Sequence, residues 1–341
     1  MNYNDIFRHT LIEKLTDHQI VSGVEELHAL YTQKRSDLAS TQLTELMVSS
    51  YTLFYMTTNM PKLNYLLNQL SEAVVADFLQ LPLLDYGTGP GTFLWPLFAK
   101  GRVGATWGID RSSLMLKQAE KLRANLFPQH QISWSEQLPQ NFPEGGVVLF
   151  GNSINEVGVE KAVQIVGRLR PKIVTFIEPG TSSFSMEMQK LRSHFAQSNY
   201  QVLFPCLNLL SDCPMVMRND ESWCHQILRT THSPEIERLS QLLKLDRKIL
   251  PMTAHVYSIG KSELIQFKAT MVRFMTETKH SFEWEVCLEQ EQKLVLKIFE
   301  IPKKNLSKEK IKELQRASTG HLFNYSLVKE IDSQRWRILL V

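Results

Sequence analysis

From residue 81 onward, short apolar runs alternate with amphipathic stretches: LPLLDY, TFLWPLFA, ATWGID, SLMLKQAEKLRANL, QISW, VVLFGN, VEKAVQIVGRLR, KIVTFIEPG and MEMQKLRSHFA. A continuous apolar run of strand length suits a strand buried on both faces, and an amphipathic stretch of helix length is what covers it. Repeated in this order, the pattern predicts an α/β fold with a doubly wound, mainly parallel sheet. The fifth strand is expected to end near Glu178, and AHVYSIGK at 254–261 reads as a late strand returning to the sheet.

The flanks have a different texture. Residues 1–80 show helical spacing without strand alternation, as in Leu27, Leu30 and Tyr31, then Tyr51, Phe54 and Tyr55, then Leu63, Leu66, Leu67 and Leu70. Pro61 is expected to open a helix running through NYLLNQLSEAVVADFL, because proline suits a first helical position. Beyond residue 260, LIQFKATMVRF, HSFEWEVCLE and KLVLKIFEI read as antiparallel strands, and RWRILLV closes one more. The expected organisation is a helical region at 1–80, a Rossmann-like domain at 81–260 with a cysteine-rich insertion at 200–235, and a small β-rich domain at 261–341.

With 43% apolar and 21% charged residues, the chain has globular composition. No apolar stretch approaches the roughly 20 residues that span a bilayer, so no membrane association is expected. The opening MNYNDIFRHTLIEK has no basic segment followed by an apolar run, which points to a cytoplasmic, bacterial-type protein without a signal or transit peptide. The net charge of +3 is small, but residues 261–341 hold 15 Lys and Arg against 11 Asp and Glu, leaving 23 against 24 before them. The densest basic stretch carries Lys303, Lys304, Lys308, Lys310 and Lys312, which either meet phosphates or form a solvated helix face.

Asp85, Gly87, Gly89 and Gly91 form D-x-G-x-G-x-G after a strand and before a helix. In a parallel sheet that turn lies at the carboxyl edge, where ligands bind and absent side chains let backbone approach them. Thr92 stands where a dinucleotide fingerprint has its third glycine, so that pattern is not met, and no Walker pattern is present. Asp110 ends the second strand, where a carboxylate can accept from both ribose hydroxyls, and Arg111 follows it. The run GIDRSSLMLKQA resembles the second block of Rossmann-like S-adenosylmethionine-dependent methyltransferases. The candidate cofactor-binding set is Asp85, Gly87, Gly89, Gly91, Thr92, Asp110, Arg111 and Asn152. A tight strand-to-helix turn with no ligand is the competing account. Asn152, Asn155, Glu156 and Glu178 fall at strand ends on the expected rim, where a structural role is equally open for each.

The chain has four cysteines, Cys206, Cys213, Cys224 and Cys287. Three lie in PCLNLLSDCPMVMRNDESWCHQ, whose Pro, Asn, Asp and Ser content reads as an irregular loop. Zinc ligands come as close pairs, whereas the gaps here are six, ten and sixty-two residues, which fits a larger inorganic unit better. Cys213-Pro214 echoes the Cys-Pro step of some iron-sulfur loops. Buried free thiols remain the alternative.

Together these segments resemble the methyltransferase-like small-ribosomal-subunit assembly factors, an Rsm-type family of mitochondria with bacterial relatives. The resemblance spans roughly residues 25–325. It rests on LHALYTQKR, NMPKL, LDYGTGPGT, GIDRSSLMLKQA, NSINEVG, IEPGTSSF, the Pro-Cys and Cys-Pro-Met steps, WCHQ, AHVYS, HSFEWEVC and IPKK. It implies binding of S-adenosylmethionine, and a 4Fe-4S cluster held by Cys206, Cys213, Cys224 and Cys287, with His225 beside a ligand. It also implies the small ribosomal subunit and its rRNA as partners, and a monomer when free. Thr58-Asn59-Met60-Pro61 departs from the family, which commonly has an arginine before the proline. The alternative is an active rRNA methyltransferase. After the fourth strand the chain has Asn152-Ser153-Ile154-Asn155 in place of the Asn/Asp-Pro-Pro-aromatic motif of amino-group methylation, so no catalytic residue is assigned.

Overall fold

Helices α1 (Tyr3–Phe7), α2 (Asp17–Thr32), α3 (Glu45–Tyr51), α4 (Thr57–Leu67) and α5 (Glu72–Gln80) occupy the N-terminal region of the computed structural model. The structure describes residues 2–32, 41–209, 212–218, 222–260, 267–317 and 319–341. It divides into two units. One comprises Met1–Asn68, Glu72–Ile177 and Thr230–Leu250, the other Gln69–Ser71, Glu178–Arg229 and Pro251–Val341.

Pro61 does not open a helix as expected. It lies inside α4, and the helix it was expected to start is interrupted after Leu67 and resumes as α5. A proline there removes one amide donor and crowds the carbonyl one turn earlier. The turn before it, Thr52–Met56, is wound wide in the π manner, and the hydroxyls of Thr57 and Thr58 bond back into that widened turn. Thr57 donates to the Leu53 carbonyl at 2.7 Å, and Thr58 to the Phe54 carbonyl at 2.8 Å. Side-chain donors thus cover carbonyls that regular winding would have paired.

The apolar runs of the first unit form β1 (Leu83–Tyr86), β2 (Thr106–Ile109), β3 (Ser133–Ser135), β4 (Val147–Gly151) and β5 (Ile173–Pro179). They run parallel in the order β3-β2-β1-β4-β5. Helices α6 (Leu94–Ala99), α7 (Ser113–Leu126), α8 (Ile154–Val157) and α9 (Val159–Leu169) intervene, so this is a Rossmann-like α/β fold. All five residues of β4 are buried, as a strand covered on both faces must be. Each large side chain buried this way contributes about 2 kcal/mol. The buried Arg102 guanidinium donates to the carbonyls of Leu81 and Ala105 and to the Thr106 hydroxyl, which ties the entry to β2 in place.

The second unit begins with α10 (Ser182–Ala196), β6 (Tyr200–Phe204) and β7 (Gln226–Arg229). After α11 (Pro234–Leu243), which belongs to the first unit, comes β8 (Ile249–Ile259), which pairs antiparallel with β6 and also pairs with β7. A further sheet combines β9 (Ala269–Glu277), β10 (Ser281–Gln290), β11 (Lys293–Pro302), β12 (Leu322–Phe323), β13 (Tyr325–Glu330) and β14 (Arg335–Leu340), in the order β12-β9-β10-β11-β14-β13. Helix α12 (Lys308–Arg316) lays Leu314 on a core that includes Phe282, Trp284, Phe299 and Ile338. Among the described residues no helix is long and apolar enough to cross a membrane.

Candidate functional site

In the first unit, the turn after β1 is held to β2 by the amides of Gly87 and Thr88, which both donate to the Ile109 carbonyl. The three glycines have different jobs. A side chain at Gly87 would strike Ser153 at 2.6 Å, and one at Gly91 would strike the Trp95 ring at 2.4 Å, so both are required by the protein's own packing. All three have positive φ, but Gly89 differs in its surroundings: an added carbon would meet only the Tyr51 ring, at 3.9 Å. The backbone at Gly89 is therefore the part of the turn that a ligand can approach closely.

Two carboxyls lie beneath this turn. Asp85 is fully buried; its Oδ2 accepts from the Thr88 hydroxyl at 2.7 Å, and its Oδ1 has no hydrogen-bond partner. Burial pushes its carboxyl up to about 7, the Thr88 hydrogen bond opposing and the neighbouring Asp110 adding to the shift. Asp110 accepts from the Gly89 amide at 2.8 Å and the Ser112 amide at 2.9 Å, so it shapes the glycine turn and opens α7. Burial raises its carboxyl pKa, against these two hydrogen bonds. An ionised carboxylate has about four acceptor positions, which leaves Asp110 capacity for ribose hydroxyls.

Arg111, expected at the cofactor, pairs its Nε with Glu156 at 3.2 Å. Burial raises the Glu156 carboxyl, with Arg111 lowering it. Asn152 directly follows β4, in the left-handed region at φ +54°, its amide donating to the Ile177 carbonyl. Strained backbone of this kind costs of order 1–3 kcal/mol and gathers at ligand-binding edges. Thr92 is buried beside Tyr51. Glu178 is buried at the end of β5, in the second unit.

An aromatic group around this turn was not expected as site residues. Tyr31 meets Tyr51 and Tyr55 edge to face, those two are tilted against each other, all centroids lie 5.7–6.4 Å apart, and burial raises the pKa of all three. Arg247 joins them, 5.7 Å from the Tyr55 centroid, with its guanidinium donating to the Thr58 hydroxyl. Arg247 thus reaches the segment just before Pro61, through Thr58 and Asn59. The i, i+4 spacing of Tyr51 and Tyr55 was legible, but aromatic residues at that spacing equally describe a core face.

In the second unit, the four cysteines come together. Cys206 follows β6, Cys213 starts a turn, Cys224 precedes β7, and Cys287 lies on β10 between Thr270 of β9 and Leu296 of β11. Cys213 packs with Met215 and Val272, and Cys224 and Cys287 lie against the same group. The Thr270 hydroxyl donates to the Pro205 carbonyl at 3.0 Å, fastening the loop to β9. Burial pushes the Cys206 thiol up to about 11 and raises those of Cys224 and Cys287, and the neighbouring thiols raise each further. Arg192, itself buried, acts on Cys206 and Cys287 in the opposite sense. Among the described residues, no three His, Cys, Asp or Glu side chains are placed to hold a single metal ion.

Of the basic stretch, Lys303 is committed to the fold: its Nζ pairs with Glu277 at 2.6 Å and lies 4.6 Å from the Phe282 centroid. Lys310 pairs with Glu313. Lys304, Lys308 and Lys312 are exposed.

The sequence model of the family described as Mitochondrial small ribosomal subunit Rsm22 matches residues 45–293. No curated protein matches the chain. Among solved structures, magnesium protoporphyrin IX methyltransferase of Synechocystis PCC 6803 with bound SAM is similar at 11% identity and TM-score 0.39, over 72% of this chain and 98% of that one. A putative RNA methyltransferase from Pyrococcus horikoshii is similar at 8% identity and TM-score 0.38, over 59% and 85%. TrmK of M. capricolum with S-adenosyl-homocysteine is similar at 11% identity and TM-score 0.35, over 59% and 68%.

Proposed function

The chain belongs to the mitochondrial small ribosomal subunit Rsm22 family, and from that premise we propose that it is an assembly or maturation factor that binds small-subunit rRNA. The observation that carries this reading is the extent of the family match, which takes in both the glycine turn and all four cysteines.

The same proposal assigns S-adenosylmethionine to the glycine turn. Bound there, the cofactor would supply an electrophilic methyl group and a cationic amino-acid end. The unpartnered Oδ1 of Asp85 fits a cation, Gly89 leaves room for close approach, and Asp110 retains acceptor capacity for a ribose. Gly87, Gly91, Thr92, Arg111 and Asn152 act around these by shaping the turn and its rim. We assign the four thiols to a 4Fe-4S cluster. A four-iron cluster takes one thiolate per iron, so its ligands need not converge on a single ion. The gathering of four thiols, Cys213 buried and the other three half-buried, beside the Arg192 cation fits such an anionic unit.

A second reading, active rRNA methylation, gains support from the strained Asn152 at the end of β4. Crosslinking the protein to RNA in cells and mapping small-subunit rRNA modification with and without it tests both. The assembly reading expects crosslinks confined to small-subunit rRNA and no lost methyl mark. A missing mark restored by the protein would establish the enzyme instead, and crosslinks to no rRNA would defeat both.

A further inference from the structure

We propose that a groove in the second unit is a stacking site for an unpaired RNA nucleotide. This deepens the RNA-binding reading above and rests on it. The groove encloses about 330 Å³ and is lined by Trp223, His225, Arg229, Arg273 and Phe274 over a floor that includes Met271. That volume suits a base with its ribose and is too small for a peptide helix, whose diameter is about 10 Å or more.

The aromatic wall is set in advance. The Trp223 and His225 ring centroids are 5.5 Å apart with planes tilted 33°. The Trp223 indole donates to the Gly180 carbonyl at 3.0 Å, and His225 Nδ1 lies 3.1 Å from the Trp223 carbonyl. Phe274 presents a third ring, 36% exposed, from β9. A platform fixed before the ligand arrives loses little freedom on binding, and every base has a face to stack on it.

Charge favours a phosphate chain. The Arg229 side chain is exposed and makes no hydrogen bond or ion pair among the described residues. Arg273 pairs with Glu285 at 3.2 Å, and Glu285 is shared with Arg218 at 2.7 Å. Two guanidiniums, those of Arg229 and Arg273, therefore line the groove next to aromatic surface, which is the combination that holds single-stranded RNA. The floor is continuous with the thiol site, since Met215 and Val272 line the groove and pack on Cys213.

The test measures binding of the full chain to a small-subunit rRNA transcript across a salt series, for the wild type, Trp223→Ala, Phe274→Ser and Arg229→Gln. Arg229 is exposed, so Arg229→Gln keeps its thermal unfolding profile, and the affinity of each aromatic variant is read at a temperature well below its own unfolding midpoint. The expected result is affinity lost on the order of tenfold for each aromatic change. For Arg229→Gln, the slope of log affinity against log salt falls by about one. A wild type that binds the transcript, with all three variants matching it in affinity and slope, removes the groove and leaves the assembly reading standing. A wild type that does not bind rRNA at all removes both.

Discussion

Asp85 is the residue on which the cofactor assignment bears most heavily. Its carboxyl is raised to about 7 by burial, well above the usual value near 4, so the folded protein holds the proton that the unfolded chain releases. Its contribution to stability is therefore fully present below about pH 4 and is lost as pH rises to about 7, by up to about 4 kcal/mol. Denaturant unfolding of Asp85→Asn against wild type, from pH 4 to pH 8, should show the variant gaining relative stability across that window and none above it. A constant difference would mean that Asp85 is already ionised or paired. A bound ammonium would favour the carboxylate, so calorimetry should find S-adenosylmethionine binding tighter as pH rises toward 7 in wild type and indifferent to pH in Asp85→Asn. Gly89→Val should abolish that binding by filling the one open side of the turn. The spacing of these residues was legible because a strand–turn–helix junction demands glycines and an acid at fixed offsets. The orphaned oxygen was not, because a missing partner is a property of three dimensions.

Among the elements, the stretch from Thr52 to Leu67 shows most clearly where sequence reasoning stopped. Pro61 marked a helix start by its general preference, yet the helix runs through it, and in the widened turn before it the Thr57 and Thr58 hydroxyls donate to the Leu53 and Phe54 carbonyls. Arg247 closes this arrangement through Thr58, Asn59 and the Tyr55 ring. Arg247→Met should cost about 1–3 kcal/mol, because the buried hydroxyl of Thr58 loses a charged partner. Thermal unfolding reads this directly; an unchanged midpoint would show the cation is dispensable. The parallel strands, by contrast, were readable one by one, since burial on both faces leaves an apolar run that no solvent-facing strand imitates.

For the whole molecule, the four cysteines carry the largest distance between what sequence and structure display. Three shared a loop in sequence, while Cys287 is brought to them by the pairing of β10 with β9 and the Thr270–Pro205 hydrogen bond. Under anaerobic purification the chain should carry about four irons and four sulfides, and Cys287→Ser should bleach it. Stoichiometric zinc without sulfide would contradict that assignment. The basic stretch was legible as charge but not as availability, since Lys303 and Lys310 are spent on Glu277 and Glu313. Every role proposed for the chain depends on its association with the small subunit. Its most direct measurement is sedimentation of a gently prepared lysate through a gradient, with the chain followed across the ribosomal fractions. The account predicts that it travels with immature small subunits, is absent from mature ribosomes, and returns to the top of the gradient when RNA is digested. A chain that stays at the top before digestion, in cells actively making ribosomes, would contradict it.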